Sequence, residues 1–486
     1  MDFVEQRKNA SRLICLTLVF IVYSIILVAC QGLPNLNHVD DKYLTASPTL
    51  KQAKATSTIA PTPSLQPTSQ FQVDASELHN LSINFWHPWN GAEDDAIDQL
   101  VDEFNRSNEW KINVSSIYQG GYDDIEEKVY NAINAGNYPD IVVGYPFQAA
   151  NWSSVRQIIL DLDTYRNDSV WGLTADDEEA YYSIFRVESK SPSGGGFPAQ
   201  RTAQFLIYNK TWAEELGFTK APTTPSELKS QACAAHKAHL NDEDTENDTF
   251  GGLIISTDYP TTLAWIYAFG GEIVKEDGTG YRFNSPQVSD AFKYLRALYD
   301  EGCAWVSDNR PPVAEFSERK GLFISGNLDV LSLLTSSMAL VGNDDEWEVL
   351  PFPSSVNSPT IEVYGPDYYI LESTPAKQLA SWIFIKWMAR PENQAKLIEK
   401  NGNLALQPAV LELVDKDELT SPQWESVGEL IAYAKPEPAL PSWGVVRWAV
   451  GDATTQLFQW YFKSDQIPGL VKLLDDTGEN LHKATH

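Results

Sequence analysis

Aromatic residues that follow strand-like runs or stand in loops are the first candidates for chemistry in this sequence. Trp89 and Asn90 follow the run 81–86, Tyr122 follows Gln119-Gly120-Gly121, Tyr145 follows the apolar run 141–143, and Tyr259 follows the run 251–255. On α/β sheets, binding groups collect at such positions. An aromatic plane there can receive the C–H face of a sugar ring, while convergent amides and carboxylates, for which Asn90, Asn327 and Asp367 are candidates, hold its hydroxyls. The chain has 15 Trp and 21 Tyr, so ordinary core packing must account for most of them. Trp86, Trp382 and Trp387 fall inside apolar strand or helix patterns and read as core.

Catalytic patterns are absent where their spacing would be diagnostic. The sequence contains no His-Glu-x-x-His, no Gly-x-Ser-x-Gly, no Walker loop and no Cys-x-x-Cys,. The acidic loop 242–248 lacks the glycine that a calcium loop needs at its sixth position, and reads as a solvated turn,. No cofactor and no metal is expected. With 66 acidic residues and a pairing of carboxylates possible in many places, a glycoside-cleaving pair has nothing to single it out,.

The ends and the composition bound the setting. Arg7, Lys8 and Arg12 precede an apolar run over 13–29, the pattern of an export signal,. Leu27-Val28-Ala29-Cys30 resembles the lipobox of bacterial lipoproteins, which implies that Cys30 is acylated and anchors the mature chain,. Residues 31–77 are rich in Thr, Ser and Pro and poor in large apolar side chains, so they read as a tether with a reach on the order of 40 Å. The net charge of −30 makes nucleic acid and anionic membrane surfaces poor partners,. Apart from Cys15 in the signal and Cys30 at the anchor, only Cys233 and Cys303 remain, and they form either one disulfide or two separate buried thiols,.

Some 400 residues follow the tether, too many for one core. Strand patterns at 81–86, 111–117 and 140–143 alternate with helix patterns at 96–104 and 125–135, and the theme returns with strands at 205–208 and 251–255 around a helix at 225–238. A β-hairpin is expected around the Gly-rich turn within 270–283, and helices at 287–299, 376–388 and 394–400,. This alternation indicates an α/β fold with a parallel sheet covered on both faces.

Several stretches carry a resemblance: Phe85-Trp86-His87-Pro88-Trp89, Gln119-Gly120-Gly121-Tyr122, Ala135-Gly136-Asn137-Tyr138-Pro139-Asp140, Ile207-Tyr208-Asn209-Lys210, Arg319-Lys320-Gly321, Pro351-Phe352-Pro353 and Phe384-Ile385-Lys386-Trp387-Met388. In this order the chain resembles extracellular solute-binding proteins of the group serving maltose, other oligosaccharide and glycerol phosphate importers. The resemblance implies a two-lobe, periplasmic-binding-protein fold of type II, each lobe a mainly parallel sheet flanked by helices, with the ligand in the interlobe cleft. Residues 1–29 would be the signal, 30–78 the acylated cysteine and tether, 79–202 with 366–407 one lobe, and 203–365 with 408–486 the other. It further implies a monomer, lipid-anchored on the extracytoplasmic face, that is not an enzyme and delivers a sugar or oligosaccharide, or failing that a glycerol-phosphate-type solute, to the transmembrane subunits of an ABC permease. A secreted carbohydrate-active hydrolase is the alternative from another class. Trp443-Gly444-Val445-Val446-Arg447 resembles a stretch of the maltose-binding members whose tryptophan stacks on sugar, which makes Trp443 a site candidate and Arg447 a brace of the lobe interface. Residues 326–329 lack a stacking tryptophan that the maltose pattern would carry.

Overall fold

The computed structural model describes residues 68–188, 195–416, 419 and 421–485. The signal, Cys30 and most of the tether lie outside the described residues. The chain lays down β1 (Ser82–His87), β2 (Asn113–Tyr118), β3 (Ile141–Gly144) and β4 (Phe197–Pro198), then crosses into a second sheet. There it forms β5 (Thr202–Asn209), β6 (Leu253–Ile255), β7 (Ala304–Val306), β8 (Phe323–Gly326), β9 (Trp347–Leu350) and β10 (Ile361–Tyr364). It returns to the first sheet for β11 (Asp367–Ile370) and ends in the second with β12 (Ala434–Pro436).

The first sheet has the order β2-β1-β3-β11-β4 and the second β12-β10-β5-β8-β6-β7, with β9 also on β5. Each centres one lobe. Both sheets are mixed rather than mainly parallel. β1 pairs in parallel with β2 and β3, but β11 runs antiparallel to β3 and β4. Likewise β6 is parallel to β7 and β8, whereas β5 is antiparallel to β8, β9 and β10. The cause is connectivity: β5 and β11 are the strands entered directly from the other lobe, with no crossover helix to reverse the chain before they join the sheet.

Local chemistry explains the helices. The helix Ala92–Ser107 opens on Glu93, Asp94 and Asp95, which suit the positive end of its dipole, and it buries Ala96, Ile97, Leu100, Val101 and Phe104 along one stripe,. The helix Pro225–Leu240 starts with proline at its first position and a reciprocal cap. Thr224 Oγ1 accepts from the Glu227 amide at 3.2 Å, and Glu227 Oε2 accepts from the Thr224 amide at 3.1 Å,. Its Cys233 is joined by a disulfide to Cys303, just before β7.

The hairpin expected within 270–283 contracts to a single bridge, Val274–Tyr281. The reason is a competing partner. The Tyr281 amide donates to Glu479 Oε1 at 2.8 Å and Lys275 pairs with Glu479 Oε2 at 2.8 Å, so this segment is held by the last helix, Ile467–Thr485.

Two crossings between the lobes run side by side. The Ala199 amide donates to the Pro366 carbonyl at 3.1 Å, and Arg201 Nη1 donates to the carbonyls of Gln200 and Pro366 at 2.7 and 2.8 Å. Arg201 Nη2 also meets Asp367 Oδ1 at 2.6 Å, with both side chains sealed from solvent.

Candidate functional site

At the ends of β6, β8 and β10 in the second lobe lies a cavity of about 570 Å³. Its floor is the point where strands stop and loops begin, the usual place for a ligand on an α/β sheet. β6 delivers Ser256, Thr257 and Asp258, β8 delivers Asn327, β10 delivers Tyr364, and the helix Trp443–Leu457 lays Arg447, Trp448, Gly451 and Asp452 along one wall.

Its polar atoms are held in place. Asp258 caps the helix Tyr259–Ala268 by accepting from the Thr261 amide at 2.7 Å. Thr261 Oγ1 donates to Ser325 Oγ at 3.0 Å and accepts from Gln204 Nε2 at 2.7 Å. Arg310 Nη2 donates to Thr257 Oγ1 at 2.9 Å, and Arg447 Nη1 donates to the Tyr259 hydroxyl at 3.2 Å. Asn327 Nδ2 approaches the Tyr364 hydroxyl at 3.4 Å. Trp448 stands edge-on to Tyr259 at 6.2 Å and keeps 61% of its surface exposed. A rigid polar floor beside an uncovered aromatic face can take a polyhydroxylated solute.

A larger groove of about 750 Å³ lies between the last two helices. Its walls include Leu470, Leu473, Leu474, Ala449 and Ala453. Asp452, Gln456, Asp465, Gln466 and Thr477 line it too, but it lies between helices rather than at the strand ends of a sheet, so the smaller cavity is the candidate site,.

Of the residues singled out in the sequence, Tyr259 and Asn327 line this cavity. Tyr122 and Tyr145 meet each other on the first lobe, ring centroids 4.8 Å apart, and burial pushes both hydroxyls well above their ordinary range. Trp89 is only 4% exposed, stacked on the fully buried His87 and edge-on to Phe85 and Tyr368. Asn90 is exposed. Asp367 faces Arg201 inside the crossing. Trp443 is fully enclosed, with its indole N–H donating to Glu437 Oε2 at 2.7 Å and its ring edge-on to Tyr259.

The family model for bacterial extracellular solute-binding proteins matches residues 99–430. The chain belongs to this family. Among its relatives is the sn-glycerol-3-phosphate-binding periplasmic protein UgpB of Salmonella typhimurium, 21% identical over 347 residues, or 68% of this chain and 76% of the relative. Among solved structures, the sugar-binding protein MalE of Xanthomonas citri superposes with a TM-score of 0.70 at 17% identity, covering 83% of this chain and 98% of that one. The cyclic α-maltosyl-1,6-maltose binding protein of Arthrobacter globiformis gives 0.68 at 18%, covering 83% and 100%. UgpB of Mycobacterium tuberculosis in complex with glycerophosphocholine gives 0.62 at 15%, covering 83% and 98%. At these identities the structural likeness establishes the two-lobe fold.

A bacterial extracellular solute-binding protein captures a solute outside the cytoplasm, and this is the role that family membership gives the chain. Sequence reasoning had passed over Trp448, Gln204 and Arg310 as cavity residues. For Trp448 a signal was present: on its helix Val446, Val450 and Leu457 face the core, whereas Arg447, Trp448, Gly451 and Thr455 recur one turn apart on another face,.

Behind the cavity, burial raises the Glu437 carboxyl to about 7, against the opposing pull of the Trp443 N–H and the guanidinium groups of Arg447 and Arg201. Its folded value thus lies above its ordinary value of 4.5. Between those two values the folded protein holds a proton that the unfolded chain has released, so this group's contribution to stability is full below about 4.5 and is lost as pH rises through about 7,. Glu437→Gln should therefore flatten the fall in melting temperature between pH 5 and pH 8. An unchanged difference between those two pH values would show that Glu437 is charged in the fold throughout.

Proposed function

We propose that the cavity beside Trp448 binds a small carbohydrate, which the two lobes enclose and the protein hands to the transmembrane subunits of an ABC permease. The observation that carries this reading is the exposed Trp448 face, set beside Tyr259 and the fixed polar floor of Gln204, Asp258 and Asn327. In this reading Tyr122 and Tyr145 face the solute from the first lobe, and neither a catalytic pair nor a cofactor is involved. The cyclic α-maltosyl-1,6-maltose binding protein and the sugar-binding protein MalE, which share the fold, support it. Calorimetric titration of the soluble body with maltotriose and other oligosaccharides tests it. Trp448→Ala should weaken the best-bound sugar about tenfold to a hundredfold, equivalent to about 1.5 to 3 kcal/mol, while leaving melting nearly unchanged because the ring is already largely exposed. Binding that is indifferent to Trp448 would sink the stacking role. Release of reducing ends during incubation would favour a hydrolase.

A second reading, a glycerol-phosphate-type solute, is favoured by Arg310 and Arg447. Both line the cavity, and neither forms an ion pair among the described residues. The UgpB relatives support it, and binding of sn-glycerol 3-phosphate with no response to any oligosaccharide would select it.

We also propose that Cys30 carries the lipid anchor, on the strength of its lipobox-like setting. Cys30→Ala should abolish incorporation of labelled fatty acid and release the protein from membranes; full labelling of that variant would refute the assignment.

A further inference from the structure

Phe147 belongs to the first lobe by its chain position, on the helix Pro146–Val155 that follows β3, yet it is buried in the core of the second. Its ring is 3% exposed and lies over Gly444, in the first turn of the helix Trp443–Leu457. A Cβ at Gly444 would come within 2.6 Å of Phe147 Cδ2, 3.0 Å of Cε2 and 3.3 Å of Cγ, so only glycine leaves room for the ring. The ring also has a lid: the Arg447 guanidinium stands over it, 4.4 Å from the centroid, and Tyr145 stacks on it at 5.6 Å with planes 16° apart. That same guanidinium donates to the Tyr259 hydroxyl and lines the cavity.

We infer that Phe147, Gly444 and Arg447 form a latch that exists only when the lobes are closed: the Phe147 ring seats in the notch left by Gly444, beneath an arginine that also borders the solute. Two physical points carry this. When the lobes part, the Phe147 face must return to water, so the latch favours closure through apolar burial and through the cation over the ring. And Gly444 is a poor choice for its own helix: alanine propagates helices better, and its backbone is not in the left-handed region that would demand glycine,. The glycine serves the approach of the other lobe. Because one guanidinium touches both Phe147 and the cavity, an occupied cavity orients the lid over the notch, and closure and capture reinforce each other. These are positioning residues: they set affinity through the closed state, which rests on the cleft being the solute site.

The tests separate a latch from ordinary packing. Gly444→Ala should keep or raise the melting temperature yet weaken whichever of maltotriose or sn-glycerol 3-phosphate the parent binds, by about tenfold or more. Adding Phe147→Ala to Gly444→Ala should recover part of that loss, since the clash goes with the ring. A Gly444→Ala variant with parental affinity, or a loss that Phe147→Ala leaves untouched, would overturn the latch. A solute-free experiment decides the geometry whatever the solute proves to be. With Phe147→Cys and Gly444→Cys in one chain, mild oxidation should form a new disulfide, absent from either single variant. It should also reduce the radius of gyration in solution scattering relative to the unoxidised double variant. Failure of the bond to form, or its formation without compaction, would show that these residues do not meet by lobe closure.

Discussion

Asp367→Ala is expected to lower the stability of the folded protein by about 3 to 5 kcal/mol, the scale for removing one member of a buried ion pair. Arg201 and Asp367 are sealed at 0% and 1% side-chain exposure, 2.6 Å apart. The guanidinium also holds the carbonyls of Gln200 and Pro366, so it ties together the two strands of chain that pass between the lobes. Removing the carboxylate leaves the positive charge in place and takes away the acidic group bound to it at 2.6 Å, and water has little room to enter. Gly365 and Gly196 crowd the same spot: a Cβ on Gly365 would lie 2.2 Å from the Gln200 carbonyl, and one on Gly196 would lie 2.6 Å from Asp367 Cβ. Replacing both charges, as in Arg201→Met with Asp367→Leu, should restore much of the loss, because a pair replaced by apolar groups no longer carries its desolvation cost. Urea denaturation of the three variants measures this. A loss below about 1 kcal/mol for Asp367→Ala would mean that solvent reaches Arg201.

The contrast between this pair and the helices shows where sequence is informative. The stripe Ala96, Ile97, Leu100, Val101 and Phe104 and the Thr224–Glu227 cap are local patterns, complete within a few residues, and they mark their helices unaided. The Arg201–Asp367 pair spans 166 positions, and neither residue differs locally from a surface charge. Asp367 accordingly reads as a ligand candidate in the sequence, whereas its setting is a crossing between lobes. The antiparallel entry of β5 and β11 was hidden for the same reason, since strand direction depends on which lobe the preceding segment came from. The segment 270–283 has hairpin residues, but its outer partner is the last helix, some two hundred positions away. The candidate site was half legible. Loop position placed Tyr259 and Asn327 at the cavity, whereas Trp89, which also follows a strand, turned inward to stack on His87. Position after a strand says that a side chain is near the ligand end of a sheet. It does not say which way the ring turns.

Trp443 and Trp448 make this point on one helix and give the sharpest expected difference. Trp443→Ala should cost about 3 to 5 kcal/mol of stability, the scale for deleting a large enclosed ring. The indole is 0% exposed, flanked by Tyr259 and Tyr281 at 6.0 and 6.2 Å. Its loss would also take from the buried Glu437 the N–H that bonds it at 2.7 Å. Trp443→Phe separates the two contributions, since it keeps most of the ring but not the donor. It should cost about 1 to 3 kcal/mol, and it should move Glu437 further upward, because that N–H pulls its pKa down,. Trp448→Ala should do the reverse on both readouts, weakening solute binding with little change in melting. If Trp443→Ala instead melts with the parent and loses affinity for maltotriose or sn-glycerol 3-phosphate, the ring must turn out of its enclosure toward the solute. The stacking role implied for Trp443 by the Trp-x-x-Val-Arg resemblance would then replace the bracing role that its contacts support.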